Sequence, residues 1–193
     1  MGRYVLWIAG VGLWALFTFW YTNTGGPLTE AEVEDYLARY AERDGDISAD
    51  RLRAFLASDT GNAFIMVNLL DLADTPPTVA GAEPGESAAS LLDRYMTYMW
   101  PALIARACHP IYAGRAVAPA LDLVGVSGAE HWETGALMRY RSRRDMMEIV
   151  SNPEFAGRHD FKLAALEKTI AFPVESVFTF ADPRLLLGLL GFS

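Results

Sequence analysis

HWETGALMRY, from His131 to Tyr140, and SRRDMMEIV, from Ser142 to Val150, form the stretch that decides the fold. The first part has the composition of a strand, and the second carries apolar residues at helical spacing directly after a serine. A strand that runs into a helix in this way is half of a βαββαβ unit. The rest of the chain should therefore supply a second half of the same kind.

The remaining elements of that unit can be predicted on both sides of this stretch. The apolar run AFIMVNLL predicts a first strand that is buried on both faces. Pro101 is expected to kink or split the first helix, Pro119 to interrupt the second strand, and Asn152-Pro153 to break the second helix. The predicted elements are strands at Ala63–Leu70, His109–Leu123, His131–Tyr140 and Ile170–Val177, with helices at Ser87–Ala107 and Ser142–Thr169.

This order predicts an α+β fold in which a four-stranded antiparallel sheet is covered by helices on one face only. The strands are too apolar for the other face to meet water. A second copy of the same sheet is its simplest cover, so a homodimer through the sheet face is expected.

The segment from Tyr4 to Tyr21 carries no charge and predicts a transmembrane helix. As a helix it would be roughly 27 Å long, close to the hydrocarbon thickness of a bilayer. A cleaved signal peptide is the alternative, but Trp20-Tyr21-Thr22-Asn23 does not resemble a small-residue cleavage site. Because Arg3 precedes the segment and no Lys or Arg follows before Arg39, we expect a cytoplasmic amino terminus and an extracytoplasmic main domain, periplasmic in a bacterium.

These features divide the chain into four segments: an anchor (1–22), a linker with two short acidic amphipathic helices (23–62), the α+β domain (63–180) and an apolar tail (181–193). The two short helices are predicted from Thr29 to about Tyr40 and from about Ser48 to Ala57. Between them, Asp44-Gly45-Asp46 is similar to the end of a calcium-binding loop. Arg51 would occupy the twelfth position, where such a loop needs a bidentate Glu, so a polar turn is predicted instead.

Composition excludes several classes of function. The net charge of −8 and pI near 4.8 disfavour a nucleic-acid partner. Cys108 is the only cysteine, which excludes an intramolecular disulfide and a site with several thiolate ligands. Its neighbour His109 should point to the opposite face of the strand, so the two do not predict a thiolate–imidazole pair.

Several of these segments resemble one known family. The resemblance covers roughly Ala63 to Val177 and is to the DUF1330-type branch of the dimeric α/β-barrel superfamily, whose domains have ferredoxin-like topology. It is carried by Val67-Asn68-Leu69-Leu70, Tyr95, Tyr98, Tyr112-Ala113-Gly114-Arg115, Trp132 to Arg143, Asn152-Pro153-Glu154-Phe155 and Ala164-Ala165-Leu166-Glu167. The chain departs from the family pattern at Cys108-His109 and at Tyr140-Arg141-Ser142. The resemblance implies a homodimer that has a pocket for small aromatic, quinone-like or haem-like molecules. It also implies that the protein acts on them without a cofactor.

Polar residues within the apolar strands are the candidates for a binding site. Asn68, Arg115 and Arg139 either line a cavity that holds an anion or pair with Asp122, Glu133 or backbone carbonyls to satisfy the core. His131 and Glu133 would share one strand face, but no second pair accompanies them, so no metal is predicted.

The predicted ligand-binding residues are Asn68, His109, Arg115, Trp132 and Arg139, with the arginines placed to stabilise a developing oxyanion. The expected function is a membrane-anchored small-molecule-binding protein that acts on a lipophilic or aromatic compound, with a cofactor-independent oxygenase or isomerase as its catalytic form. The alternative is a non-catalytic accessory subunit of a larger membrane complex. In the second case the apolar tail would pack on a partner; otherwise it could lie at the membrane surface beside the anchor.

Overall fold

A computed structural model describes residues 2–42, 47–155, 157–180 and 182–191. The predicted polar turn at Asp44-Gly45-Asp46 lies outside the described residues, as does the end of the tail at Phe192. The described helices are α1 (Gly2–Tyr21), α2 (Glu30–Ala41), α3 (Ala49–Ala57), α4 (Ala88–Ala105), α5 (Arg143–Val150), α6 (His159–Ala165) and α7 (Pro183–Gly191), with a 3-10 turn at Pro153–Phe155. The described strands are β1 (Phe64–Leu72), β2 (His109–Arg115), β3 (Thr134–Tyr140) and β4 (Leu166–Val174).

The four strands form one antiparallel sheet in the order β2-β3-β1-β4. β1 therefore lies between β3 and β4, with Met66 opposite Met138 on one side and Pro173 on the other. Helix α4 connects β1 to β2, and α5 and α6 connect β3 to β4. The expected α+β architecture with an antiparallel four-stranded sheet is thus confirmed.

The helices cover one face of this sheet. Phe64 and Tyr140 are cross-strand neighbours whose rings stack at 5.2 Å, and they pack in one core with residues of α2 to α5. A second, smaller core joins α4 to α6 around Leu91 and Phe161. The alternate residues of the strands point away from these cores, because successive side chains in a strand lie on opposite faces. We call this second surface the open face.

The linker helices are part of this core. Thr29 caps α2 in a capping box with Glu32, and Val33 and Tyr36 are buried against the helices of the sheet layer. Just after α3, the buried carboxylate of Asp59 forms an ion pair with Arg143, whose Nε lies 3.4 Å from Oδ1. The same carboxylate accepts hydrogen bonds from the backbone N–H groups of Leu28 and Gly61. The two predicted helices are therefore confirmed and fixed to the domain, but only α2 is acidic, since α3 carries one Asp and two Arg residues.

Several predicted boundaries are wrong. The second strand ends at Arg115 and the third begins only at Thr134. Regular pairing between β2 and β3 stops at this pair of residues. The strand predicted from Ile170 begins at Leu166, since residues 166–169 pair with β1 instead of prolonging the helix. α4 runs unbroken through Pro101, with Met99 and Leu103 buried on either side of it.

β1 also differs from its predicted burial. The prediction of burial on both faces holds only for Phe64, while the other residues of β1 are partly exposed. On the open face the helices leave the residues of β1 uncovered, and on the other face they cover Met66, Asn68 and Leu70 only in part.

α1 is the one described helix that is long and apolar enough to cross a membrane. Its side chains are almost all exposed over Tyr4–Tyr21, so it is not a core helix of the domain. The tail forms α7 and packs beside α1, where the Trp14 indole N–H donates to the Arg184 carbonyl at 2.9 Å. The described part of the tail thus lies beside α1.

Candidate functional site

The last residue of α1 lies against the open face of the sheet. Tyr21 is only 2% exposed, although the rest of α1 is largely exposed. Its ring stacks on Phe17 at 5.3 Å and lies under the guanidinium of Arg139 at 3.7 Å. The anchor helix therefore ends inside the domain, not in a free tether.

Arg139 holds this junction together. It lies on β3 opposite Ile65 and His109, which places it on the open face. The guanidinium donates to the Tyr21 carbonyl at 3.0 Å and to the Ala107 carbonyl at 2.8 Å. Arg141 donates to the Trp20 carbonyl at 3.0 Å, so two arginines supply hydrogen bonds and positive charge to the carboxyl end of α1.

His109 completes the contact with Tyr21. The Tyr21 hydroxyl and His109 Nε2 are 2.7 Å apart, and His109 Nδ1 lies 3.0 Å from the Pro110 carbonyl. A carbonyl only accepts hydrogen bonds, so in the neutral imidazole Nδ1 carries the proton. Nε2 then accepts a hydrogen bond from the Tyr21 hydroxyl. This assigns a Tyr–His pair through which a proton can move between the open face and the ring of His109.

A cleft of about 390 Å³ opens beside this junction. Ile65 and Ile111 supply apolar walls, and Asp182 and Arg184 approach from the start of α7. Asp182 and Arg184 form an ion pair at 2.6 Å, and the Arg184 guanidinium lies 5.4 Å from the Tyr21 ring centre. The pKa of the Asp182 carboxyl is lowered mainly by its hydrogen bonds from Arg184.

The structure brings two of the five predicted ligand-binding residues together. Arg139 lines the cleft, and His109 contacts Tyr21 at its wall. Asn68 lies on the opposite, helix-covered face, where its amide donates to the Met66 carbonyl at 2.9 Å. Asn68 and Arg139 were expected either to hold an anion in a cavity or to pair with acidic residues or backbone carbonyls. Their observed protein partners are backbone carbonyls.

The other two predicted residues lie at the far end of the sheet. Arg115 is exposed opposite Thr134, at the end of β2. Trp132 precedes β3, donates to the Ala129 carbonyl at 2.9 Å and lies 5.0 Å from the Lys168 ammonium. Neither residue reaches the cleft beside Tyr21, since Thr134 is five positions from Arg139 along β3.

His131 and Glu133, considered as a metal pair, do not share a strand face, because β3 begins after them at Thr134. Among the residues that the structure describes, no group of three or more His, Cys, Asp or Glu side chains is placed to hold a metal ion. Cys108 is fully buried on the side opposite His109, and burial raises the pKa of its thiol to about 11. Such a thiol is a poor nucleophile.

Sequence reasoning missed Tyr21, Asp182 and Arg184 as members of a site. Tyr21 was assigned to the anchor, and Asp182 and Arg184 to the tail. The available signal was the pair of opposite charges, Asp182 and Arg184, in an otherwise apolar tail, because charged residues in such a segment usually have specific partners.

No family model matches this chain, and no curated protein matches it. Two solved structures are similar to it over most of their length. The RPA0582 protein of unknown function from Rhodopseudomonas palustris has a TM-score of 0.58 and 19% identity, over 69% of this chain and 97% of its own. The methylated RPA0582 protein has a TM-score of 0.58 and 20% identity, over 70% of this chain and 96% of its own. At this level of identity, the comparisons show a shared α+β fold for the matched part of the chain and no activity.

Proposed function

We propose that this protein is a membrane-anchored, small-molecule-binding α/β-barrel protein whose cleft takes a lipophilic or aromatic compound. One observation carries the proposal: Tyr21, the last residue of the apolar helix, is also a wall of the cleft. A compound dissolved in the membrane would meet this cleft where the helix leaves the bilayer. The volume of about 390 Å³ falls within the range of small-molecule sites.

The contacts of Tyr21 support an uncleaved anchor. Removal of α1 as a signal peptide would expose the apolar surface under Tyr21 and leave Arg139 without one of its two carbonyl partners. We therefore infer a single-pass protein. Arg3, in the first turn of α1 and ahead of the apolar segment Tyr4–Tyr21, favours a cytoplasmic amino terminus and an extracytoplasmic domain.

We infer a ferredoxin-like fold and a homodimer through the open face. The strand order β2-β3-β1-β4 with two crossover helices supports the fold. Large apolar side chains exposed on the open face support the dimer, since a monomer rarely leaves such a surface in water. They are Tyr112, Ile170, Phe172 and Val174.

A catalytic form of this proposal is a cofactor-independent oxygenase or isomerase. Arg139 would stabilise an oxyanion on a bound compound, and the Tyr21–His109 pair would accept or return the proton. The chemistry of the residues present supports proton transfer. The choice of an oxygenase or isomerase comes from the family resemblance.

Native mass spectrometry of the full-length protein released from membranes tests the proposal. We expect a dimer that carries a bound small molecule. Ile65→Trp should fill the cleft and remove the bound mass, whereas Ile104→Trp, at an exposed position of α4 outside both the cleft lining and the open face, should keep it. Bound mass that is equal in both variants would contradict the assignment of the cleft.

The accessory-subunit alternative is favoured by the long loop between β2 and β3. Residues 116–133 extend the hairpin through backbone bonds between Ala116 and Glu133 and between Ala120 and Glu130. Val117 and Leu121 near its tip are almost fully exposed, which suits a partner surface. Val117→Asp with Leu121→Asp should release a co-purifying membrane partner under this alternative and leave the small-molecule mass unchanged under the first proposal.

A further inference from the structure

We infer that the cleft is selective for an amphiphile with an anionic headgroup, which binds through its headgroup to Arg139. The inference rests on the proposed function and names the chemical class of its ligand. The observation behind it is a buried cation on the cleft wall that has no carboxylate partner among the described residues.

Arg139 is only 8% exposed, and its described hydrogen-bond partners are the neutral carbonyls of Ala107 and Tyr21. A buried charge normally has an opposite charge beside it, because taking a guanidinium out of water is costly. The Tyr21 ring compensates only part of this cost through its π-face. The remaining N–H groups of the guanidinium are suited to a carboxylate or phosphate.

The carboxylates around the cleft are already paired with other cations. Asp182 receives several hydrogen bonds from Arg184, at 2.6 to 3.1 Å. Glu175 accepts from Thr60 at 2.7 Å and from Arg143 at 3.2 Å. At Arg139, the charges of Asp182 and Arg184 act in opposite directions.

The surroundings of Arg139 fit an apolar chain attached to that anion. Ile65 and Ile111 line the cleft next to Arg139, and Val174 lies opposite Ile65 on the open face. Tyr21 connects the same cleft to the apolar surface of α1. A single-chain amphiphile could therefore place its headgroup on Arg139 and its chain on the sheet or toward the membrane.

Photolabelling of the full-length protein in nanodiscs of neutral phosphatidylcholine tests the inference. The probes are diazirine-bearing dodecanoate and diazirine-bearing dodecanol, with labelled peptides identified by mass spectrometry. Unlabelled dodecanoate and dodecyl phosphate should displace the dodecanoate probe from cleft peptides at about 10- to 100-fold lower concentration than dodecanol, the range expected for one charged hydrogen-bonded contact. Acetate and inorganic phosphate should not compete at those concentrations.

Arg139→Gln should abolish the preference for anions and leave labelling by the dodecanol probe, which also reports that the cleft is still formed. Arg139→Lys should keep part of the preference, since it keeps the charge. Arg141→Gln is the matched control, because Arg141 also caps α1 but lies outside the cleft lining. That variant should keep the full preference.

Equal displacement by dodecanol and dodecanoate would overturn the inference and leave the proposed function intact. A preference that persists in Arg139→Gln, or equal competition by acetate, would also overturn it. If neither probe labels the cleft peptides, the proposed function itself fails.

Discussion

The junction between α1 and the sheet should be broken by one substitution, Tyr21→Ala. The change removes a buried ring that stacks on Arg139 and Phe17 and a hydroxyl that bonds His109. Truncating a buried aromatic residue typically costs about 3–5 kcal/mol. Tyr21→Phe keeps the ring and loses only the hydrogen bond, so it should cost about 1 kcal/mol.

Urea unfolding in detergent micelles measures both values, with near-ultraviolet circular dichroism as the readout of the domain. α1 should stay helical in the micelle in both states, so the transition reports the domain and its docking to the helix. Tyr4→Ala is the control, since Tyr4 lies on the same helix and is 77% exposed. It should leave the free energy of unfolding within about 0.5 kcal/mol of that of the wild type.

The relative free energies of unfolding of these variants show whether the junction is stabilising and which part of Tyr21 stabilises it. If Tyr21→Ala unfolds with the same free energy as Tyr4→Ala, the helix contributes nothing to the domain and is a flexible tether. If Tyr21→Phe costs as much as Tyr21→Ala, the hydroxyl and not the ring stabilises the junction, and the stacking on Arg139 is not what holds it.

Three further substitutions or reactions test the structure at other places. Asp59→Ala should cost about 3–5 kcal/mol in the same urea assay, because it removes the more deeply buried of the two carboxylates that pair with Arg143 and leaves the Leu28 and Gly61 N–H groups without their acceptor. Glu34→Ala, in an exposed pair, should cost far less, and equal costs would contradict the burial of the first pair. Cys108 should react with iodoacetamide at pH 8 about 100-fold more slowly than an ordinary thiol until the protein is unfolded, because burial raises its pKa to about 11; rapid labelling of folded protein would refute this. Hydrogen bonds, chiefly from Arg144, lower the pKa of Glu32 to about 2, so its contribution to the free energy of unfolding is complete above about pH 4.5 and is lost toward pH 2. The difference in the free energy of unfolding between wild type and Glu32→Gln should therefore shrink as the pH falls over that interval.

Local signals in the sequence predicted the starts of helices well. Thr29, Ser87 and Ser142 each accept a hydrogen bond from the backbone of the helix that follows, as their positions before apolar periodic segments predicted. Such contacts involve residues close in sequence, so the pattern alone contains the information. The same holds for the length and apolar character of α1.

Boundaries set by distant partners were not predictable in this way. Residues 166–169 continue a helical pattern, but Leu166 pairs with Leu72, and Lys168 pairs with Asp71 and lies 3.5 Å from its carboxylate. Pairing with β1 therefore overrides the local preference. Similarly, β2 ends at Arg115, opposite the start of β3 at Thr134 and before the interruption that Pro119 predicts.

The candidate site shows the same limit. Arg139 and His109 could be singled out as polar residues within apolar strands. Their partner Tyr21 is 118 positions from Arg139 in sequence and lies in a segment that is explained fully by a membrane. Only the folded chain shows that this residue belongs to both the anchor and the cleft.

The docking of α1 fixes the orientation of the domain relative to this helix. The carboxyl end of a helix carries partial negative charge, and Arg139 and Arg141 both donate to the carbonyls there. Arg184 ties the start of α7 to the same place through Thr22, at 2.8 Å. Because rotation of the domain about α1 would break these contacts together, the cleft should keep one orientation toward the bilayer. A fixed opening toward the membrane is what a site for a membrane-dissolved ligand requires, and a flexible tether would not provide it.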